Sequence, residues 1–296
     1  MAYAPVGRRQ WRWLRPLVGA VLLVGVAWHL GFDSVWAGVH GIGPGALAAG
    51  AFLVALCTLC ACWRWLAIAR AAGLQLGLRD AVSAYYRAQF MNSTLPGGVL
   101  GDVDRAVWHA RDQRDAARAG GTVAVERVAG QAVQMLIAAL VLLIGGARAG
   151  LPSVVSALLG IGCLVFGAIA VLVAGLTGVL RELSLRTGLA LVAASALAVT
   201  GYAAVFLVAA QAVGVQALPQ MIPLALVVIV GSAIPLNFAG WGPREGIAAG
   251  VFATAGLGAE LGLSVAVAYG VICLVAVLPG AVLLLLGRRR RDSAHG

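Results

Sequence analysis

Blocks of about twenty apolar residues with few charges recur along the chain, and they restrict the fold more than any other feature. At about 1.5 Å rise per residue, a helix of that length crosses a hydrocarbon core about 30 Å thick. A membrane β-barrel would instead alternate apolar and polar residues over strands of about ten positions. The sequence therefore predicts an all-α polytopic membrane helix bundle, with residues 1–296 forming a single integral membrane domain.

The composition excludes a water-soluble fold. Charged residues make up 11% of the chain and hydrophobic residues 61%, whereas soluble domains carry about 25% charged residues. The net charge of +10 comes largely from arginines clustered beside the apolar blocks, as at positions 8–15 and 288–291. Such clusters are typical of cytoplasmic anchors on anionic lipid, so we expect membrane lipids and no nucleic acid as partners.

Two apolar stretches are broken by Pro and Gly, at about 81–104 and 219–257. Because these residues interrupt helices, we interpret both stretches as re-entrant hairpins. About six full spans accompany them, at about 14–32, 44–66, 122–147, 151–176, 188–213 and 261–286.

The placement of arginine supports this topology. Positively charged segments favour the cytoplasm, and the hairpin arrangement puts all of them there together with both termini. Eight full crossings remain an alternative, but they would place the Arg-rich stretch 105–118 outside. The cytoplasmic segments are the amino end, 64–80, 105–118, 181–186 and the carboxyl tail.

The order span, span, hairpin, span occurs twice in this topology, in the halves 1–147 and 151–286. Three crossings in each unit would invert the second copy relative to the first. An inverted repeat with a site between broken helices near mid-membrane is a design of secondary transporters.

The first break supplies one set of candidate binding residues. Free backbone N–H groups near its glycines, together with an arginine, would cradle a lipid phosphate. The alternative is a solvated loop in which Asp102 lies at the start of a helix running toward Arg111. The candidates are Asn92, Pro96, Gly97, Gly98, Gly101, Asp102 and Arg105.

A second set opens the third full span, where Glu126 and Arg127 precede Gln131 and Gln134 at helical spacing. Ionisable residues within apolar segments are costly unless paired or hydrated, so they are candidates for function. This polar stripe favours a helix face turned inward. An ion pair at the membrane edge is the alternative.

The second break supplies the third set. Arg244 follows directly on a Gly-Trp-Gly-Pro segment between two apolar stretches. Arginine binds phosphate through paired N–H donors, and glycines let a ligand approach the backbone. The alternative is that Arg244 and Glu245 only neutralise each other. The candidates are Asn237, Gly240, Gly242, Arg244 and Glu245.

Little in the sequence indicates covalent catalysis, and we expect no catalytic residue, cofactor or metal. The four histidines are scattered. Cys57, Cys60 and Cys62 lie in one apolar segment without a nearby His or carboxylate, so they are more typical of small helix residues than of metal ligands.

The chain resembles the flippase-like family that shares its fold with the transmembrane region of lysylphosphatidylglycerol synthase. The resemblance covers nearly the whole chain, from the first span to the last. It is carried by Phe90, Asn92, Leu95-Pro96-Gly97-Gly98, Gly101-Asp102, Arg105, Glu126-Arg127, Pro235, Gly240, Gly242, Arg244 and Glu245.

This resemblance implies that the chain moves a lipid or lipid-linked sugar between leaflets, in a bacterial plasma membrane and beside envelope-biosynthesis enzymes. An aminoacyltransferase activity is not implied, since only a short tail follows the last predicted span. The source is expected to be bacterial, with an archaeal source as the alternative. Two other functions stay open: a membrane enzyme acting on a lipid-linked sugar or phosphate, and a non-transporting partner of an envelope-synthesis enzyme.

Overall fold

The computed structural model describes residues 32–95, 98–111, 115–176, 183–216, 218–232 and 241–292, and within these ranges the regular structure is helical. A short 3₁₀ turn, Ala147–Ala149, joins α5 to α6. The helices are α1 Phe32–His40, α2 Pro44–Ala71, α3 Leu78–Thr94, α4 Leu100–Arg111, α5 Ala116–Gly145, α6 Ser153–Leu176, α7 Leu185–Ala212, α8 Leu218–Ser232, α9 Pro243–Thr254, α10 Ala259–Ala276 and α11 Pro279–Asp292.

Five of the described helical segments are long and apolar enough to cross a membrane. They are α2, α5, α6, α7 and the stretch Ala259–Leu286 that joins α10 to α11. Each coincides with a predicted full span, which confirms the all-α polytopic membrane bundle. The span predicted at 14–32 lies almost wholly outside the described residues.

The first predicted break separates α3 from α4. A Cβ on Gly101 would lie 2.0 Å from the carbonyl oxygen of Ala88, so the two helices pack with their backbones almost touching. The 12 residues of α4 are about 18 Å long, less than a bilayer core. This length agrees with the re-entrant hairpin, whose path in the membrane stays a prediction.

The second break separates α8 from α9, which also pack against each other. Like α4, α9 has 12 residues. It begins directly after Gly242, whose φ of 117° lies in the region that glycine adopts without strain. Residues 233–240, most of the chain between the two helices, lie outside the described part of the structure.

The two halves of the chain make corresponding contacts. In the first half α2 packs on α3, α3 on α4 and α4 on α5, and in the second half α7, α8, α9 and α10 pack in the same order. The last span of each half also contacts the second span of the other, α5 with α7 and α10 with α2. These are contacts that the predicted inverted repeat requires, and the repeat itself stays a prediction.

Close helix contacts hold the two halves together. A Cβ on Gly201 of α7 would lie 2.4 Å from Sγ of Cys57 on α2, and a Cβ on Gly50 would lie 2.1 Å from Cγ2 of Ile272 on α10. Small residues at such positions let helices associate in lipid through van der Waals contact. In contrast, α6 packs mainly on α5 and leaves large apolar side chains such as Leu158 and Leu172 exposed. That surface therefore suits contact with lipid.

Candidate functional site

A cavity of about 340 Å³ lies inside the bundle, between the two halves. Side chains from both hairpins and from the long helices α2, α5, α7 and α10 line it. Its charged and polar lining residues include Arg64, Tyr85, Gln89, Asn92, Asp102, Arg105, Glu126, Arg127, Gln131, Gln134, Ser195, Tyr202, Arg244 and Tyr269.

Glu126 on α5 is the centre of an ionic network on one side of the cavity, and its side chain is 1% exposed. Its Oε1 accepts hydrogen bonds from Nη2 of Arg64 at 2.6 Å and from Nε of Arg64 at 3.2 Å. Its Oε2 accepts from Nη2 of Arg105 at 3.1 Å and from the hydroxyl of Tyr85. Since a buried charge is tolerated only when it is paired, this carboxylate and its partners depend on one another.

Arg64 also joins the two halves. It lies on α2 of the first half, and its Nη1 donates to Oγ of Ser195 on α7 of the second half at 3.3 Å. A Cβ on Gly130 of α5 would lie 2.8 Å from Nη2 of Arg64, so the glycine leaves the space that the guanidinium occupies.

Arg105 on α4 lies between two aromatic rings. Its Cζ is 4.7 Å from the ring centroid of Trp65 and 4.1 Å from that of Tyr85. Cation–π attraction of this kind stabilises a desolvated guanidinium. Arg105 is 1% exposed, and its Nη2 donates to Oδ1 of Asp102 at 3.2 Å as well as to Glu126. The geometry therefore fixes Arg105 in place as the link between α4 and α5.

Asp102 connects the first break to α5. Its Oδ2 accepts from Nδ2 of Asn92 at 3.1 Å and from Nη1 of Arg127. The amide oxygen of Asn92 accepts the backbone N–H of Gly101 at 2.8 Å, which ties the end of α3 to the start of α4. The side chain of Arg127 is 35% exposed and that of Asp102 15%. This pair is thus more accessible than the network around Glu126.

A second ion pair follows the second break. Nε of Arg244 donates to Oε1 of Glu245 at 2.8 Å, and the backbone N–H of Gly242 donates to Oε2 of the same carboxylate at 2.7 Å. Glu245 is 1% exposed and caps the first turn of α9. Arg244 lies 5.2 Å from the ring centroid of Trp241 and 5.6 Å from that of Tyr269. It reaches the same cavity as the first network.

The structure brings most of the predicted site residues to one place. Asp102, Arg105, Glu126, Arg127 and Arg244 line the cavity, together with Asn92 and Gly98. Gly101, Gly242 and Glu245 support these side chains through the bonds described above. Pro96, Gly97, Asn237 and Gly240 lie outside the described residues.

The geometry also bears on the alternatives for these sets. Glu126 is buried in the bundle, so it does not form an interfacial pair with Arg127. Asp102 does lie in the first turn of a helix that ends at Arg111, as the alternative predicted, and it lines the cavity as well. Arg244 and Glu245 neutralise each other while Arg244 still reaches the cavity.

Sequence reasoning missed Arg64, Tyr85, Gln89, Tyr202 and Tyr269. The predicted place of Arg64 among the cytoplasmic charges of the 64–80 connection is wrong. Helix α2 continues to Ala71, and Arg64 is buried against Glu126. The apolar residues that follow Arg64 in the sequence, Trp65 to Ala69, were the available signal. The glutamines Gln131 and Gln134 face the cavity, as their spacing predicted.

A bundle of membrane-length helices with a charged internal cavity defines a polytopic α-helical membrane protein. The sequence profile of the lysylphosphatidylglycerol synthase TM region matches residues 12–280, and the chain belongs to that family. Membership indicates a lipid-related function in a membrane. No curated protein matches the sequence significantly.

Proposed function

We propose that this protein moves an anionic, phosphate-bearing lipid or lipid-linked sugar between the leaflets of a bacterial plasma membrane. One observation carries the proposal: arginines from both broken helices and from the spans α2 and α5 converge on one cavity inside the bundle. Buried arginines are expensive in a membrane and mark the paths of anionic ligands. Membership in a lipid-related family supports the same conclusion.

The arginines would have two roles. Arg127 is the most exposed member of the two ionic networks, and Arg244 faces the cavity from the other half, so these two contact the headgroup phosphate. Arg105 has the second role. It completes the site from its position between the rings of Trp65 and Tyr85, where its hydrogen bonds hold Asp102 and Glu126. Guanidinium groups suit phosphate because they offer paired donors in one plane.

Asp102 would act as a displaceable counter-charge. In the structure its carboxylate is paired with the guanidinium of Arg127. An entering phosphate would compete for the same guanidinium N–H donors. Glu126 and Glu245 keep the remaining arginines neutralised while the lipid is absent. A ligand shifts the equilibrium between two states only by its difference in affinity for them, and the exchange of Asp102 for phosphate supplies such a difference.

Any energy for lipid movement would come from an ion gradient across the membrane or from metabolism. The sequence has no GxxxxGK[ST] motif for ATP, so movement would be passive, coupled to an ion, or driven by consumption of the lipid. Both termini would lie in the cytoplasm. If the halves form an inverted repeat, they would move relative to each other and expose the cavity to each leaflet in turn.

Reconstitution into vesicles tests the proposal. Wild-type protein should move a fluorescent phosphatidylglycerol between leaflets, and Arg244→Ala should reduce the rate by about tenfold, the loss expected when one charged hydrogen-bond partner is removed. Arg186→Ala is the matched control, because Arg186 lies exposed at the start of α7. Equal rates for both variants would refute the site, and a chemically altered lipid would indicate an enzyme instead.

A further inference from the structure

We propose that the outer face of the first hairpin, formed by α3 and α4, binds a phospholipid whose phosphate lies against the guanidinium of Arg87. This lipid is separate from any lipid in the cavity, so the proposal goes beyond lipid movement. Three observations support it: the position of Arg87 on α3, its lack of an ionic partner among the described residues, and the exposed apolar side chains on the helices beside it.

Arg87 lies on the face of α3 that turns away from the cavity. Tyr85, Gln89 and Asn92 of this helix line the cavity, and at 3.6 residues per turn Arg87 falls on the opposite side. It follows Leu78, the first residue of α3, by nine positions, which is about 14 Å along the helix. The predicted hairpin places this part of α3 within the membrane, so the outer face that carries Arg87 meets lipid.

Arg87 differs in its pairing from the arginines inside the bundle. Arg64 and Arg105 both bind Glu126. Among the described residues no carboxylate forms an ion pair with Arg87, and this includes Asp104 on the neighbouring helix α4. Within the same ranges, its buried Nε lacks a hydrogen-bond partner. A guanidinium within the membrane is costly unless it is paired or hydrated, so a lipid phosphate beside Arg87 is stabilising.

Trp108 on α4 fixes the direction of the Arg87 side chain. Cζ of Arg87 lies 5.7 Å from the ring centroid of Trp108, within the range of cation–π attraction. Ala88, the next residue of α3, packs against Gly101 near the start of α4, whereas Trp108 lies three residues before Arg111 at its end. The guanidinium therefore extends toward the end of the hairpin where the chain is predicted to leave the membrane. Long arginine side chains reach the lipid phosphates in this way.

Apolar side chains are exposed on the two helices that pack against α3, and they suit acyl chains. They are Val103 and Val107 on α4, and Val282 and Leu285 on α11. Helix α11 lies directly against α3, since a Cβ on Gly280 would lie 2.1 Å from the carbonyl oxygen of Tyr86. A cation between two apolar surfaces matches a phospholipid, whose phosphate is joined to two acyl chains, better than it matches a free phosphate.

Site-specific photocrosslinking tests the proposal in nanodiscs of phosphatidylglycerol and digalactosyldiacylglycerol in equal parts, the second of which carries no phosphate. With p-benzoylphenylalanine at Val103, on the exposed face of α4, mass spectrometry should find about tenfold more adduct with phosphatidylglycerol than with the galactolipid. This is the preference expected from one charged hydrogen-bond partner. The same reporter at Leu158, exposed on α6, gives the ratio for bulk lipid. Equal ratios at the two positions overturn the proposal.

Substitutions combined with the Val103 reporter assign the preference to Arg87. Arg87→Gln should lower the ratio of the two adducts to that of bulk lipid. Arg79→Gln removes the same charge from an exposed position at the start of α3 and should leave the ratio unchanged. Arg87→Lys keeps the charge and should retain a several-fold preference, which also separates the loss of charge from the loss of the arginine shape. An equal loss in Arg79→Gln or in Arg87→Lys would overturn the proposal.

Arg244→Ala separates this lipid from a lipid in the cavity. The ratio at Val103 should not change in this variant, because Arg244 reaches the cavity from the second half of the chain. Loss of the preference there would overturn a separate site. Crosslinking is measured without transport, so a vesicle assay that shows no movement refutes the proposed function and leaves the lipid at Arg87 to be decided by the adduct ratio.

Discussion

Gly270 on α10 leaves the space into which the Arg244 guanidinium extends: a Cβ at this glycine would lie 2.1 Å from Nη2 and 2.8 Å from Cζ of Arg244. Gly130 on α5 has the same relationship to Arg64, with a corresponding distance of 2.8 Å to Nη2. In each half, therefore, the last span carries a glycine where an arginine approaches the helix. The position of the charged groups depends on these missing side chains.

Gly270→Ala should displace the Arg244 guanidinium and lower lipid movement by about tenfold, comparable with Arg244→Ala. The fold should survive, because alanine is the better helix former by about 1 kcal/mol and only the far end of a side chain must move. Gly250→Ala is the control, since nothing lies within 4 Å of its Cβ position. Vesicle assays measure lipid movement, and thermal unfolding in detergent measures the stability of the fold. Equal activity of the Gly270 and Gly250 variants would contradict the prediction.

Glu126→Gln should strongly destabilise the protein. It leaves Arg64 and Arg105 buried without their shared counter-charge, and breaking a buried pair in this way costs about 3–5 kcal/mol. Glu260→Gln is the matched control, because Glu260 is exposed at the start of α10. Thermal unfolding of both variants is the measurement. A melting temperature for Glu126→Gln equal to that of the control would show that the network contributes little to stability.

Asp102→Asn should increase the affinity for phosphatidylglycerol a few-fold. The amide keeps hydrogen-bonding capacity toward Asn92 but no longer holds Arg127 by charge, so the phosphate meets less competition. Binding by native mass spectrometry tests this, with Asp80→Asn, at an exposed position on α3, as the control. Weaker binding in the Asp102 variant would mean that the carboxylate supports the site and does not compete with the ligand.

Gly101→Ala should weaken the packing of the first hairpin. The added methyl would lie 2.0 Å from the carbonyl oxygen of Ala88, and the backbone of α3 must move to admit it. Overpacking of this kind costs about 1–3 kcal/mol. Gly120→Ala on α5 has nothing within 4 Å of its Cβ and should leave the stability unchanged. Comparable melting temperatures for the two variants would argue against the close approach of α3 and α4.

Cysteine labelling distinguishes the two topologies. In a variant without native cysteines, Arg111→Cys at the end of α4 should react with a membrane-impermeant maleimide from the cytoplasmic side only, because the re-entrant hairpin returns the chain to that side. Arg79→Cys, exposed at the start of the first broken helix, lies on the cytoplasmic side in both topologies and serves as the reference. Labelling of Arg111→Cys and Arg79→Cys from opposite sides would favour full crossings for the broken helices.

The long apolar helices were predictable because their signal is local, whereas α1, between two predicted spans, was not predicted. Apolar residues in blocks of membrane length and the Pro-Gly interruptions between α3 and α4 are read from neighbouring positions, and lipid requires a hydrogen-bonded backbone within each segment. The candidate residues Asp102, Glu126 and Arg244 were found in the same way, as ionisable groups within or beside apolar sequence. Their possible role needed no knowledge of their partners.

The partners themselves were decided by the tertiary structure. Arg64 and Glu126 are separated by 62 residues, and Arg64 and Ser195 by 131, so no local pattern connects them. Arg64 had been assigned to a cytoplasmic connection because an arginine near the end of an apolar block is ordinarily an anchor. Packing of α2 against α5 and α7 instead places a carboxylate and a serine hydroxyl beside it. The sequence by itself determined which segments are long and apolar enough to cross a membrane, since hydropathy acts residue by residue. Only the folded bundle decided which charges meet in one cavity, since pairing depends on distances between helices.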